Sequence, residues 1–138
     1  MPRKLLIVED NQDNRELAIK VLKNKGYEII EAVDGEEAIE KAISEKPDLI
    51  LLDISLPKLD GYEVAKRLKS MEEFQEIPIV AFTAHAMKGD REKVIAGGFE
   101  GYISKPINVR EFPDQIMLYL RGKRESVLGG EEKQDIDC

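Results

Sequence analysis

The sequence predicts an α/β fold, in which helices cover both faces of a five-stranded parallel sheet. Five short apolar runs alternate strictly with five longer amphipathic stretches, the pattern of parallel strands joined by crossover helices. The first, third and fourth runs are continuously apolar, as expected for strands that are buried on both faces. Because such crossovers are right-handed, only a few doubly wound strand orders remain open.

The predicted elements are bounded by turn residues. The strands are predicted at residues 5–8, 27–30, 49–52, 79–82 and 102–103. The first helix closes at Gly26, the second ends before Pro47, and the others are predicted at about 61–71, 87–96 and 108–122. Pro113 falls in the first turns of the last helix, where proline is best tolerated. The apolar stripes of the first two helices and the last one are predicted to comprise Leu17, Ala18, Val21 and Leu22, then Ala38, Ile39, Ala42 and Ile43, then Val109, Phe112, Ile116, Leu118 and Leu120.

Length and composition indicate one domain. The chain has 138 residues, of which 42% are hydrophobic, enough for a core without disulfides or a structural metal. We expect a folded domain over residues 1–123 and a disordered acidic tail over 124–138. The last residue, Cys138, is the single cysteine and is expected to be inert.

Charge and hydropathy exclude several classes of partner. The net charge is −7, which argues against direct binding of nucleic acid because phosphate recognition needs a basic face. No apolar run approaches the roughly 18 residues that a membrane span requires, and no signal peptide is recognisable. We therefore expect a cytoplasmic protein that is not attached to a membrane.

Polar residues follow the predicted strands at the point where each strand ends. Glu9 and Asp10 follow the first strand, Asp53 the third, Thr83 the fourth and Lys105 the fifth. Each of these residues alone is more often a helix cap or a solvated turn residue; Asp10, for example, could cap the first helix, as could Asn11 or Asp13. Ligands of open parallel sheets bind at this edge, so the joint occurrence at four strand ends predicts a functional site.

Three carboxylates at one edge need a compensating positive charge. Two unit charges 4 Å apart repel by about 4 kcal/mol at an effective dielectric constant of 20. Oxygen ligands without histidine or cysteine favour Mg²⁺ over zinc. A carboxylate can also act as a nucleophile toward phosphorus, and that transfer depends mainly on charge neutralisation. Mg²⁺ and Lys105 would supply the charge, and Thr83 could donate to a phosphoryl oxygen.

These residues and their surroundings resemble response-regulator receiver domains. The resemblance covers about residues 3–122 and rests on the motifs LLIVEDN (5–11), DLILLDISLPKLDGYEV (48–64), IPIVAFTA (77–84) and GYISKP (101–106). It implies the CheY-like, flavodoxin-like fold with strand order 2-1-3-4-5. Leu59 stands where methionine is frequent in that family, a conservative difference.

The resemblance also assigns roles to the site residues. Asp53 would accept a phosphoryl group from a sensor histidine kinase or a histidine phosphotransfer protein. Asp10 and Asp53 would bind Mg²⁺ through their side chains and Ser55 through its backbone carbonyl, with Glu9 acting mostly through water. Lys105 would pair with Asp53 and then with the phosphoryl group.

The family further implies a cis bond before Pro106 and a switch pair, Thr83 and Tyr102. Phosphorylation would draw the Thr83 hydroxyl inward and let the Tyr102 ring follow. The face of helix 4, strand 5 and helix 5 would then bind a downstream protein. Ser55 and His85 would border the attacking water and tune the lifetime of the phosphoryl group; His85 is otherwise expected to be an exposed loop residue. The phosphodonor is expected to dock on helix 1 and the loop after Lys105, at the positions Gln12, Asn14, Arg15, Ala18, Ile107 and Asn108.

Three alternatives remain beside this interpretation. A degenerate receiver would act as an interaction module without phosphorylation; the intact Asp10, Asp53 and Lys105 argue against it. A phosphatase of the haloacid dehalogenase type would need a second acid where Ser55 stands. A flavodoxin-like cofactor carrier would need a glycine- and hydroxyl-rich loop after the first strand, where Glu9 and Asp10 would repel phosphate. Unlike the phosphatase, a receiver would phosphorylate and dephosphorylate itself and would have no separate turnover substrate.

Overall fold

The structure is a computed structural model that describes residues 3–56, 59–84 and 88–128, with the backbone alone for 88–91 and 122–128. Within these ranges the chain forms five strands and five α-helices in alternation, with one 3-10 turn, Glu72–Phe74. The strands are β1 (Lys4–Val8), β2 (Glu28–Ala32), β3 (Leu49–Asp53), β4 (Ile79–Thr83) and β5 (Gly101–Ser104). The helices are α1 (Gln12–Lys23), α2 (Gly35–Glu45), α3 (Gly61–Lys69), α4 (Lys88–Ala96) and α5 (Phe112–Leu128).

The strands form one parallel sheet in the order β2-β1-β3-β4-β5. The predicted fold class and strand order are therefore confirmed. The order reverses between β1 and β3, and this is the point at which sheets of this kind bind their ligands. All parallel strands end at the same edge, so residues that follow β1, β3, β4 and β5 are brought to one side of the molecule.

The sheet divides the core into two layers. Successive side chains of a strand point to opposite faces, so Leu5 and Ile7 of β1 join one cluster while Leu6 and Val8 join the other. The first cluster also contains residues of α1 and α5, and the second contains residues of α2, α3 and α4. Both layers are closed to solvent, which explains the continuous apolar runs of the central strands.

Three helices begin with an acid or amide cap at the edge where the strands end. The side chains of Asn11, Asp34 and Asp60 accept hydrogen bonds from the backbone N–H groups of the residues three positions later, at 2.9, 2.8 and 3.0 Å. The cap of α1 is thus Asn11 rather than Asp10 or Asp13. Each cap stabilises its helix by about 1 kcal/mol and leaves Asp10 available for the site.

The last helix differs from its prediction at both ends. Asn108 accepts hydrogen bonds from the backbone of Arg110 and Glu111 and forms a turn, so α5 begins at Phe112 instead of about 108. Val109, which we expected on the helix, precedes it and is 53% exposed. The helix continues to Leu128, so residues 124–128, expected in the tail, are helical. The division into residues 1–123 and 124–138 stays a prediction, and residues 129–138, including Cys138, lie outside the described residues.

Three other predicted stripe residues are exposed. Leu17, Ile43 and Leu118 lie on the outer parts of their helices. In α1 the buried positions are Ala18, Ile19 and Leu22. The buried face of α1 is therefore rotated about the helix axis relative to the predicted stripe, from Leu17 toward Ile19. The apolar pattern alone does not fix the rotation of a helix over the sheet.

Candidate functional site

The predicted site residues meet at the edge where the strands end. Asp53 and Thr83 are the last residues of β3 and β4, while Glu9 and Lys105 directly follow β1 and β5. Glu9, Asp53 and Thr83 are at most 2% exposed, although all three are polar. Buried polar groups need hydrogen-bond or charge partners. These residues are therefore not solvent-exposed turn residues, and their burial together indicates a functional site.

Three carboxylates form an acidic cluster. Glu9, Asp10 and Asp53 can each place one oxygen within 4.8 Å of the other two. Glu9 and Asp53 are buried, whereas Asp10 is exposed. Hard oxygen donors that are open to solvent on one side suit Mg²⁺, which keeps several of its water ligands. The donor set therefore fits the predicted ion.

Lys105 connects two of these acids. Its Nζ atom donates hydrogen bonds to Glu9 Oε1 at 2.7 Å and to Asp53 Oδ2 at 3.1 Å. The family resemblance implies a pair of Lys105 with Asp53 and a role for Glu9 at the metal, mostly through water. The bond between Glu9 and Lys105 was missed because their carboxylate and ammonium are 96 positions apart in the sequence and no local pattern indicates which acid a lysine will contact.

Burial and charge shift the proton affinities of this pair. Burial raises the pKa of Glu9, and the charge of Asp53 adds to the rise, against the opposing effect of Lys105 and the Asn11 amide. Burial lowers the pKa of Lys105, but the hydrogen bonds and charges of Glu9 and Asp53 together outweigh it and hold that pKa above its usual value. The ammonium is thus fixed in its charged form.

Backbone groups hold both buried carboxylates. The Asn11 N–H donates to Glu9 Oε2 at 3.0 Å, and the Ser55 N–H donates to Asp53 Oδ1 at 2.9 Å. Arg15 of α1 donates from Nη1 to the Glu9 carbonyl oxygen at 2.9 Å and from Nε to Glu31 at 3.1 Å. Arg15 is predicted from the sequence only as part of a docking surface, and its hydrogen bond to the Glu9 backbone was not predicted.

Gly61 allows α3 to begin against the end of β3. A Cβ atom at this position would lie 2.6 Å from the Asp53 carbonyl oxygen and 2.6 Å from the Ile54 Cα atom. The Gly61 N–H donates to the Ile54 carbonyl oxygen at 3.3 Å. The sequence indicated Asp60-Gly61 only as a turn, yet this glycine shapes the backbone that carries Asp53.

The two predicted switch residues lie on neighbouring strands. Thr83 pairs with Ser104 in the register of β4 and β5, and its carbonyl oxygen accepts from the Lys105 N–H at 2.8 Å. Tyr102 is half-buried against the core cluster under α4, and its carbonyl oxygen accepts from the Tyr119 hydroxyl at 3.5 Å. The Lys105-Pro106 peptide bond is cis. His85 lies outside the described residues.

Comparison with known proteins defines the class. The model of the response regulator receiver domain family matches residues 5–117. The polar-differentiation response regulator DivK of Brucella anthropi is 48% identical over 120 residues, which cover 87% of this chain and 98% of DivK. The chain therefore belongs to the response regulator receiver domain family.

Solved structures agree with this assignment. The chemotaxis response regulator CheY4 of Vibrio cholerae superposes with a TM-score of 0.82 at 27% identity, over 86% of this chain and 99% of that one. The receiver domain of the sensor histidine kinase PA1611 from Pseudomonas aeruginosa gives a TM-score of 0.80 at 32% identity, over 87% and 98%. That structure has a magnesium ion in its active-site cleft. The protein is thus a phosphoacceptor signalling domain of the two-component type.

One general property concerns membranes. In the part of the chain that the structure describes, no helix combines the length and the apolar character that a membrane span requires.

Proposed function

We propose that Asp53 is the phosphoacceptor of this receiver domain. The observation that carries the proposal is its setting: Asp53 is 2% exposed, shares an oxygen cluster with Glu9 and Asp10, and accepts a hydrogen bond from Lys105. A buried carboxylate beside two further acids is costly unless cations offset the charge. Such an arrangement suits a group that receives an anionic phosphoryl group together with a metal ion.

Asp10 and Asp53 would hold Mg²⁺ through their side chains, and the Ser55 carbonyl would add a backbone ligand. Glu9 would contact the ion mostly through water, since Lys105 already occupies its Oε1 atom. The magnesium ion in the cleft of the PA1611 receiver domain supports this assignment. When bound, the ion would neutralise developing charge on the phosphoryl oxygens.

In the transfer, a carboxylate oxygen of Asp53 would form a bond to phosphorus while the bond from phosphorus to the donor nitrogen breaks. The donor would be a phosphohistidine of a sensor kinase or a phosphotransfer protein. The Ser55 N–H, which donates to Oδ1, would keep the carboxylate oriented. Lys105 would pair with Asp53 before the transfer and with the phosphoryl group after it. The Thr83 hydroxyl would donate to a phosphoryl oxygen. The protein would act on itself and would have no separate turnover substrate.

The donor would dock beside the site. Gln12, Asn14 and Arg15 lie in the first turns of α1, with Gln12 exposed and the other two half-buried. Ile107 and Asn108 belong to the loop after Lys105. Both segments follow strands that end at the edge carrying the acidic cluster, so a phosphohistidine bound there would reach Asp53 without crossing the sheet. Ala18, which we expected on this surface, is fully buried and would contribute only to the core.

The face formed by α4, β5 and α5 would pass the signal to a downstream protein. Movement of Thr83 toward the phosphoryl group would open space for the half-buried Tyr102 ring and shift an existing equilibrium. Ile95 of α4 and Leu118 of α5 expose about half of their surface, and a pocket of about 340 Å³ lies between Ile95, Tyr102 and Tyr119. A downstream protein would bind there.

Phosphorylation of the purified protein tests this proposal. Incubation with Mg²⁺ and acetyl phosphate should add one phosphoryl group to the intact mass, and a chelator should prevent the addition. Asp53→Asn should stay unmodified, whereas the matched control Asp13→Asn, an exposed acid on α1, should be modified normally. An unchanged mass of a protein that binds Mg²⁺ would instead favour an interaction module that works without phosphorylation.

A further inference from the structure

The aromatic ring of Phe82 lies directly beneath the ammonium group of Lys105. The distance from Lys105 Nζ to the ring centroid is 5.0 Å, within the range of a cation–π interaction. Phe82 is 1% exposed and the Lys105 side chain is 13% exposed. Because little water separates them, the attraction between the cation and the ring face is only weakly screened.

The strand register explains why the two side chains meet. Phe82 pairs with Ile103 across β4 and β5. Alternation along an extended chain places residues 103 and 105 on the same side, and the Lys105 N–H continues the pairing by donating to the Thr83 carbonyl oxygen. The lysine side chain therefore leaves the end of β5 on the side of the sheet that carries Phe82.

The same ring also contacts the beginning of α5. Phe82 and Phe112 are stacked, with their centroids 6.3 Å apart and their planes inclined by 20°. Phe112 is the first residue of α5 and is fully buried. Lys105 and Phe112 lie at the two ends of the segment that joins β5 to α5, so one ring of β4 contacts both ends.

We propose that Phe82 is a positioning residue that holds the Lys105 ammonium toward Glu9 and Asp53 through its ring face and couples the lysine to the start of α5. Three contacts then fix the ammonium from different directions: Glu9 Oε1 at 2.7 Å, Asp53 Oδ2 at 3.1 Å and the ring of Phe82. When Asp53 carries a phosphoryl group, the contact with the ring would persist and would keep the Lys105 ammonium close enough to pair with the phosphoryl oxygens.

Phe82 also belongs to the core cluster that includes Ile103, Phe112 and Ile116. A purely structural role would depend on the size of the ring, whereas a cation–π role depends on its electron density. Fluorination lowers the electron density and nearly preserves the shape, so it separates the two roles. Phe74, 2% exposed in the other core cluster, provides a matched control.

The experiment introduces mono- and trifluorinated phenylalanine at position 82 and, separately, at position 74 of the full chain. The first readout is the NMR order parameter of the Lys105 ε-methylene group without any phosphodonor. The second is the rate of phosphorylation by acetyl phosphate with Mg²⁺. We expect the order parameter to fall stepwise with fluorination at position 82, and the rate to fall by about fivefold for the trifluorinated ring. Fluorination at position 74 should change neither.

The inference would be overturned by a Lys105 order parameter that stays the same in the trifluorinated protein; a fall in Phe82→Leu alone would then show that Phe82 acts only through packing. The rate readout rests on the proposed role of Asp53, but the NMR readout does not. If the wild type accepts no phosphoryl group, the proposed function fails while the NMR measurement still decides the role of Phe82.

Discussion

Lys105 donates its shorter hydrogen bond to Glu9, at 2.7 Å, and its longer one, at 3.1 Å, to Asp53. In the unphosphorylated protein, Glu9 therefore serves as an anchor for the lysine in addition to any role beside a metal. This relationship leaves Asp53 less tightly held than Glu9.

Loss of the lysine should destabilise the fold mainly through Glu9. Lys105→Met leaves a carboxylate that is 1% exposed beside Asp53 without its cation. We expect the free energy of unfolding to fall by about 3 kcal/mol in the absence of Mg²⁺. The loss should shrink at acid pH, where Glu9 takes up a proton. Chemical denaturation at several pH values measures both effects.

Lys69→Met is the matched control for this experiment. Lys69 is also largely buried, but its Nζ atom donates to the carbonyl oxygens of Phe74, Gln75 and Ile77 and lies 3.7 Å from the half-exposed carboxylate of Glu100. Its loss should cost stability with much less recovery at acid pH, because carbonyl groups do not titrate and Glu100 stays solvated when the lysine is removed. Equal recovery in both variants would contradict the assignment of the Lys105 effect to Glu9.

The raised pKa of Glu9 should make stability depend on pH. Burial, together with Asp53, raises the pKa of Glu9 in the folded state above its ordinary value of 4.5. The folded state then holds the proton more tightly than the unfolded state, so stability from this group is present below pH 4.5 and is lost as the pH rises through the higher folded value.

Glu9→Gln removes this titration. In chelator-treated samples, the free energy of unfolding of the wild type should therefore fall relative to that of Glu9→Gln as the pH rises above 4.5. The stabilisation from the raised pKa of Lys105 is constant below its ordinary value of 10.5 and is lost only as the pH rises above that value, so it does not interfere. A constant difference between the two proteins across the acid and neutral range would refute the shift.

Magnesium should stabilise the folded protein through Asp10. Three carboxylate oxygens within 4.8 Å form a site only when the chain is folded, so an ion at ten times its dissociation constant adds about 1.4 kcal/mol. We expect Mg²⁺ to raise the melting temperature of the wild type, with a much smaller rise for Asp10→Asn. Thermal melts with Mg²⁺ and with chelator test this, and an equal rise for both proteins would place the ion elsewhere.

Substitution of Gly61 should slow phosphorylation of Asp53 in addition to destabilising the fold. In Gly61→Ala the new Cβ must displace the Asp53 carbonyl or the Ile54 Cα, each 2.6 Å away. We expect a loss of about 2 kcal/mol and slower phosphorylation by acetyl phosphate. Gly26→Ala is the control: its φ of +90° also opposes a side chain, but nothing lies within 4 Å of the added atom. Normal phosphorylation of Gly61→Ala would show that Asp53 does not depend on the absence of a side chain at position 61.

The fold could be predicted from the sequence because its signal is local and repeated. Alternating apolar and amphipathic stretches define the strands and helices, and the family resemblance carried by the motifs around Asp53 and Lys105 implied the strand order. The start of α5 could not be predicted because it depends on one turn, in which the Asn108 side chain accepts from the backbone of Arg110 and Glu111. The apolar Val109 made that turn resemble the helix.

The composition of the site was also predictable, but its internal contacts were not. Polar residues at strand ends must converge in a parallel sheet, which placed Glu9, Asp53 and Lys105 together. The lysine contacts two carboxylates, and which of them accepts the shorter hydrogen bond depends on a difference of a few tenths of an ångström, 2.7 Å to Glu9 against 3.1 Å to Asp53. The role of Phe82 could not be predicted because it depends on the strand register that brings its ring to Lys105. From the sequence alone, an aromatic residue in a buried strand is an ordinary core residue.

The central claim, that Asp53 receives the phosphoryl group, is tested most directly by chemical trapping. Borohydride reduces an aspartyl phosphate to the corresponding alcohol, so peptide mass spectrometry after treatment with acetyl phosphate and Mg²⁺ reveals the modified position. We expect the alcohol at position 53 alone, and none in chelator-treated protein. Reduction at Asp10 or at any other acid, with Asp53 unchanged, would contradict the account.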